Sequence, residues 1–131
     1  MLICVLAARL FAQQPANEEG RSSFRVVDIY VDSKGVPLAA YQLKFWATNG
    51  NVRIVGIEGG EHEAFREAPF YDPKAIQKDR VIIGAFNTSP KERLPMSKTR
   101  VASLHIQTSD KGGLQCMSKL MAAASLVTAA T

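Results

Sequence analysis

FRVVDIYVDSKGVPLAAYQLKFWA, residues 24–47, is the stretch whose pattern decides the architecture. In its first part Val27, Ile29 and Val31 alternate with Asp28, Tyr30 and Asp32, and the β-branched and aromatic content suits a half-buried strand. Ser33-Lys34-Gly35 supplies a turn, and Pro37 keeps the chain from re-entering a ladder at once. A second strand follows, in which Ala39, Tyr41, Leu43, Phe45 and Ala47 form an apolar set against Ala40, Gln42, Lys44 and Trp46. Two arrangements bury these sets. The strands pair as a hairpin, with Val27 opposite Leu43, or they lie in different sheets and meet across a sandwich. In either case each fully buried Val, Leu or Ile contributes roughly 1.5–3 kcal/mol before chain entropy is counted. A slip of one residue would turn the whole set outward.

Toward the carboxyl terminus the same logic continues. Asn49-Gly50-Asn51 is a turn signal, and residues 52–57 make a short strand whose apolar positions change phase between Ile54 and Val55; Gly56 or a bulge absorbs the change. Residues 58–79 lack alternation, hold Gly59, Gly60, Pro69 and Pro73, and are expected to be a long connection. RVIIGAF, residues 80–86, is a nearly continuous apolar run, which predicts a strand covered on both faces and central in its sheet. Pro90 and Pro95 place residues 87–97 in a loop. Thr99 to Thr108 alternates again, with Ala102, Leu104 and Ile106 inward and His105 on the opposite side. After the turn Asp110-Lys111-Gly112-Gly113, two alternatives stand for residues 114–131. Met117, Leu120, Met121, Ala124 and Leu126 form a helical stripe, whereas a strand over residues 117–123 would close the sheet; the all-β context favours the strand.

On the amino-terminal side, MLICVLAARLFA is nearly all apolar and ends at Ala12 before a polar stretch, the pattern of a secretory signal's apolar region and small-residue cut site. Arg9 interrupts it and no basic residue precedes it. The alternative is a short strand or helix of the domain. Residues 1–23 are thus expected to be a signal-like segment and linker, and residues 24–131 a single β-sandwich domain. Removal of the segment would take Cys4 away, leaving Cys116 with no intramolecular disulfide partner.

Composition agrees with one globular domain. The chain has 131 residues, 47% hydrophobic and 21% charged, and its 16 Lys and Arg against 12 Asp and Glu give a net charge of +4. A core forms at this length without disulfides or metals. The basic excess is mild and lacks the clustering of a nucleic-acid footprint, so no nucleic-acid partner is expected. No run reaches the roughly 18–20 apolar residues of a spanning helix. The expected class is all-β, an antiparallel jelly-roll or Ig-like β-sandwich.

Four phrases carry a family resemblance: AAYQLKFWA (residues 39–47), VRIVGIEGG (52–60), RVIIGAFN (80–87) and TRVASLHI (99–106). In order and spacing they resemble cohesin-like domains, within a superfamily that includes carbohydrate-binding modules. The resemblance covers residues 24–125. It implies a jelly-roll that binds another protein through one sheet face and carries out no chemistry, while related modules present aromatic surfaces to polysaccharides. No family residue transfers to a single position here.

The densest polar chemistry lies in residues 58–72, where Glu58, Glu61, Glu63, Glu67 and Asp72 surround His62 and face one Arg66. A solvated loop, a binding surface, or a metal or acid–base site are the alternatives. With one His and no Cys nearby, the spacing defines no zinc site. Gly59-Gly60 lacks the Lys-Ser/Thr of a phosphate loop and reads as a tight turn needing positive φ. No Gly-x-Ser-x-Gly elbow is present. Trp46 shares a face with Lys44 and Gln42; either it is an exposed interface anchor with a polar rim or the amino-terminal arm or a loop covers it, as is usual for tryptophan. Residues 74–111 carry eight basic residues and three acids, opposite in sign to the preceding loop.

These features lead to a non-catalytic, exported protein-interaction or adhesion module, periplasmic, envelope-associated or extracellular, with no cofactor and no metal. Another protein is the expected partner and a polysaccharide the alternative. Trp46, Glu61, His62, Glu63 and Tyr71 are the candidate contacts. An enzyme using the 58–72 loop is the third reading, and it requires those side chains to converge.

Overall fold

In the computed structural model, residues 3–10, 22–48, 51–109 and 114–125 are described, the first of these stretches as backbone only. The expected turns at Asn49-Gly50 and residues 110–113, the polar stretch from Gln13, Leu126 and the side chain of Cys4 lie outside them. Seven strands follow in order: β1 (Ile3–Leu10), β2 (Ser23–Asp32), β3 (Ala40–Ala47), β4 (Val52–Gly59), β5 (Arg80–Phe86), β6 (Lys98–Thr108) and β7 (Cys116–Ala124). They form two sheets, a four-stranded one in the order β1-β2-β6-β4 and a three-stranded one in the order β5-β3-β7. Every strand pair is antiparallel.

Of the two arrangements open for β2 and β3, the sandwich is the one adopted: they lie in different sheets. Val27, Ile29 and Val31 from β2, with Leu104 and Ile106 from β6 and Ile54 from β4, face Tyr41, Leu43 and Phe45 from β3 and Ile83 from β5 in one buried cluster. Tyr41 also reaches across it, its hydroxyl donating to the carbonyl oxygen of Val101 at 3.4 Å. The phase change in β4 is a bulge. Register shifts between Ile54 and Gly56, leaving Val55 unpaired, so that Ile54 and Ile57 both point inward although they are three residues apart; one extra residue is what resets the period.

The carboxyl-terminal segment is a strand. β7 pairs along β3 from Ala47↔Cys116 to Ala40↔Ala124 with a bulge at Gln42/Leu43, because one side of β3 is open to receive it. The connection expected over residues 58–79 begins at residue 60, because Glu58 and Gly59 extend β4, and it holds two 3-10 turns, Glu63–Phe65 and Pro73–Ala75, that plug Phe65 and Ala75 into the core. The Phe65 ring meets Tyr41 edge-on at 5.4 Å.

Two expectations need correction. β5 is an edge strand, not a central one. Its apolar run does not mean burial on both faces, since Val81 and Ile83 are buried whereas Ile82 and Phe86 are exposed. The Gly59-Gly60 pair does not adopt positive φ. It is needed for close approach, because a Cβ on Gly59 would lie 2.0 Å from the Arg66 carbonyl oxygen and one on Gly60 2.1 Å from that of Arg100.

At the amino terminus, the apolar run itself forms β1 and pairs with β2 from Ile3↔Asp32 to Leu10↔Arg25. In the described chain the expected signal-like segment therefore occupies the outer edge of the four-stranded sheet. No helix among the described residues is long and apolar enough to cross a membrane.

Candidate functional site

Alternation in β3, β5 and β7 that delivers Leu43, Phe45, Val81 and Ile83 to the core necessarily presents their neighbours on the opposite face. Four cross-strand rows result. Arg80, Trp46 and Met117 make the first, Ile82, Lys44 and Lys119 the second, Gly84, Gln42 and Ala122 the third, and Phe86, Ala40 and Ala124 the fourth. Met121 protrudes at the β7 bulge.

This face is greasy for a surface. Of the eight large hydrophobic side chains exposed among the described residues, five lie here: Phe70 (71%), Phe86 (63%), Met117 (51%), Met121 (48%) and Ile82 (43%). The other three, Phe24, Val36 and Met96, do not lie on these strands. Scattered apolar side chains are ordinary, whereas a contiguous set marks an interaction surface.

Phe70 reaches the face from the long connection. Its N–H donates to the Gly84 carbonyl at 2.8 Å and its carbonyl accepts from the Gly84 N–H at 3.0 Å, a single bridge on the free edge of β5. Its ring stacks on Phe86 with centroids 6.1 Å apart and planes 16° from parallel. Beside this pair is a shallow depression lined by Phe70, Tyr71, Ile82, Gly84 and Phe86, floored by glycine where no side chain fills the space.

The charges on the face are all positive at the strand positions. None of the residues of β3, β5 and β7 is acidic, and their three cations, Lys44, Arg80 and Lys119, share the outer side. Arg80 is satisfied by Asp79, with Nε 3.3 Å from its carboxylate. Lys44 lies over the Trp46 ring, 5.4 Å from its centroid. Cys116, at the start of β7, is half-buried, and burial pushes its thiol above the ordinary range, a poor setting for a nucleophile.

The sequence-predicted residues separate in space. Trp46 stands on the apolar face and Tyr71 lines the depression next to it, partly buried against the core. The acidic loop does not converge on a point. Glu61 accepts from the backbone N–H of Arg100 at 3.1 Å. His62 caps a 3-10 turn through Nδ1, which accepts from the Ala64 N–H at 3.0 Å. Glu63 pairs with Arg93 at 3.7 Å, and Asp72 caps the second turn by accepting from the Lys74 N–H at 2.9 Å. Among the described residues no group of three His, Cys, Asp or Glu is placed to hold a metal ion. Phe70, Ile82 and Phe86 are not among the residues expected from sequence; the nearly continuous RVIIGAF run holds the signal for Ile82 and Phe86, which are bare, and nothing local in the sequence marks Phe70.

No family model and no curated protein sequence matches the chain. Solved structures do. The chain is similar to a non-cellulosomal cohesin from the hyperthermophilic archaeon Archaeoglobus fulgidus at 8% identity, over 76% of this chain and 68% of that one, with a TM-score of 0.53. It is similar to a type I cohesin from Pseudobacteroides cellulosolvens at 8% identity, over 83% and 72%, with a TM-score of 0.59. A third similar structure comes from a type I cohesin–dockerin complex of Clostridium thermocellum, at 9% identity over 94% and 83% with a TM-score of 0.56. At such identities the likeness speaks for the fold, and the fold of this chain is a cohesin-like antiparallel β-sandwich.

Proposed function

We propose that the chain is a non-catalytic protein-interaction or adhesion module that docks a partner protein on the outer face of the β5-β3-β7 sheet. The observation that carries this is the concentration of Phe70, Ile82, Phe86, Met117 and Met121 on that one face, with Trp46 between the strands' polar positions. Apolar and aromatic anchors ringed by polar groups have the composition of a binding hot spot. The Clostridium thermocellum structure is a cohesin–dockerin complex, which supports protein binding as the use of this fold. The test is affinity capture from envelope and extracellular fractions with the parent chain and with an Ile82→Glu, Phe86→Glu variant. A protein retained by the parent across salt concentrations and lost by the variant supports the assignment; equal retention, or none, contradicts it.

Export belongs to the same proposal. It is supported by the amino-terminal apolar run ending at Ala12, and cleavage there would strip β1 and leave the β2 edge unpaired. Mass measurement of the chain recovered from its native compartment checks this, with residues 1–12 expected to be missing.

A polysaccharide is the second reading, supported by the exposed aromatics Phe70 and Phe86 beside Tyr71, with Trp46 at the other end of the same face. It is the weaker one, because Phe70 and Phe86 each spend one ring face on the other and Tyr71 packs inward. Affinity electrophoresis on soluble glycans, compared with a Trp46→Ala, Phe86→Ala variant, separates the two: unretarded migration of the parent removes this reading.

A further inference from the structure

The middle of the docking face holds a pair that the free domain does not explain. Lys44 on β3 and Lys119 on β7 are direct cross-strand partners, and both project from the outer side. Like charges placed directly opposite each other on a sheet are destabilising. A carboxylate opposite either lysine would offset this, yet β3, β5 and β7 contain no acidic residue. Among the described residues neither lysine makes an ion pair: Lys44 contacts the Trp46 ring, and the Asp79 carboxylate at the Trp46 end of the face is engaged by Arg80. Apolar side chains flank the pair, Ile82 across from Lys44 and Met117 across from Trp46 in the adjoining row, where Arg80 lies on the other side of Trp46.

Resting on the reading of this face as a docking surface, we infer that its occupant is an acidic amphipathic protein segment, whose carboxylates sit over Lys44 and Lys119 and whose apolar side chains cover Ile82, Phe86 and Met117. Charge complementarity selects the sign of the partner. Two ammonium groups held side by side gain most from carboxylates that neutralise both, and wrong-sign partners meet like charge. The apolar flank selects a polypeptide over a simple polyanion, since a ligand of anionic groups alone leaves Ile82, Phe86 and Met117 bare.

The chain supplies its own reporter. Trp46 is the single tryptophan, and it lies in this patch against Lys44, so its emission reads the site directly. The probes are two synthetic helical peptides with the same Leu and Phe positions, one flanked by Glu and the other by Lys, together with a sulfated oligosaccharide. The Glu peptide is expected to shift Trp46 emission saturably, to bind at least about tenfold more tightly than the Lys peptide, and to weaken as salt rises. Reversal in a Lys44→Glu, Lys119→Glu variant is expected to invert the preference; should that double variant fail to fold, Lys119→Glu alone, at an exposed strand position, is expected to abolish it. Equal binding of both peptides that is lost in Ile82→Glu, Phe86→Glu overturns the inference while leaving the docking face standing. Absence of binding by either peptide, or a sulfated oligosaccharide that binds as well as the Glu peptide and ignores the apolar substitutions, also overturns it.

Discussion

The two sheets present outer faces of opposite character. On the four-stranded sheet several outward polar groups satisfy one another. The buried Asp28 carboxylate accepts from the Ser103 hydroxyl at 2.8 Å, and Arg100 donates to the Ser103 oxygen at 2.7 Å and to the Gly59 carbonyl at 3.2 Å. His105 contacts Glu58 across β6 and β4, and Lys98 lies over the Tyr30 ring at 5.1 Å. On the three-stranded sheet the outward side chains are apolar or alike in charge, and Lys44 faces Lys119. Both faces come from the same alternation of strand residues. The difference shows that a sandwich needs only its inner faces for the fold; an outer face whose groups are paired stabilises the domain, and one whose groups are left unmatched is available to something else.

Truncating one residue type on the two sides of a single sheet tests this difference with the largest expected effect. Phe45→Ala, in the core, is expected to cost about 3–5 kcal/mol by denaturant unfolding. Phe86→Ala, 63% exposed, is expected to stay within about 0.5 kcal/mol; a large loss there would show that the apolar face is structural after all. Next in size, Ser103→Ala on the four-stranded sheet removes the donor to buried Asp28 and is expected to cost about 1–3 kcal/mol. Its counterpart on the other sheet has the opposite sign. Lys119→Glu converts a like-charge pair to an opposite one and is expected to raise stability by roughly 0.2–1 kcal/mol at low salt, the gain fading as salt increases.

The smallest effect concerns Cys116. Desolvation raises its pKa, so at a given pH less thiolate is present than in a free cysteine, and alkylation by iodoacetamide is expected to be slower than in the unfolded chain. The linkage follows in sign: the unfolded thiol ionises first as pH rises, so the contribution is complete below the unfolded pKa and is lost as pH climbs through the folded one. Equal labelling rates in folded and unfolded protein would contradict the burial.

Much of the fold was legible because hydrophobic period two is a local signal. Val27, Ile29 and Val31, Leu43 and Phe45, and Leu104 and Ile106 all point inward as their spacing requires, and even the slip between Ile54 and Val55 announced the β4 bulge. The site was less legible. Trp46 was identified from its polar neighbours, but Phe70 lies far from β5 in sequence and reaches it through one bridge to Gly84. The acidic loop is dense in titratable groups, but in space they diverge: His62 and Asp72 cap turns through bonds two residues on, as short polar side chains do, while Glu61 and Glu63 are held apart by Arg100 and Arg93 from distant parts of the chain.

Alternation alone determined that this chain makes strands, which residues line the interior, and that the interior lies between two layers, since turning a strand over would expose its whole apolar set. Which strands became neighbours, that RVIIGAF lies at an edge with one side bare, and that Lys44 meets Lys119 were decided only by the tertiary structure. A strand's sequence records how much of it is apolar, but whether an apolar side chain is covered depends on what packs over it from elsewhere in the chain, and for the outer face of β5-β3-β7 the described residues supply no such cover.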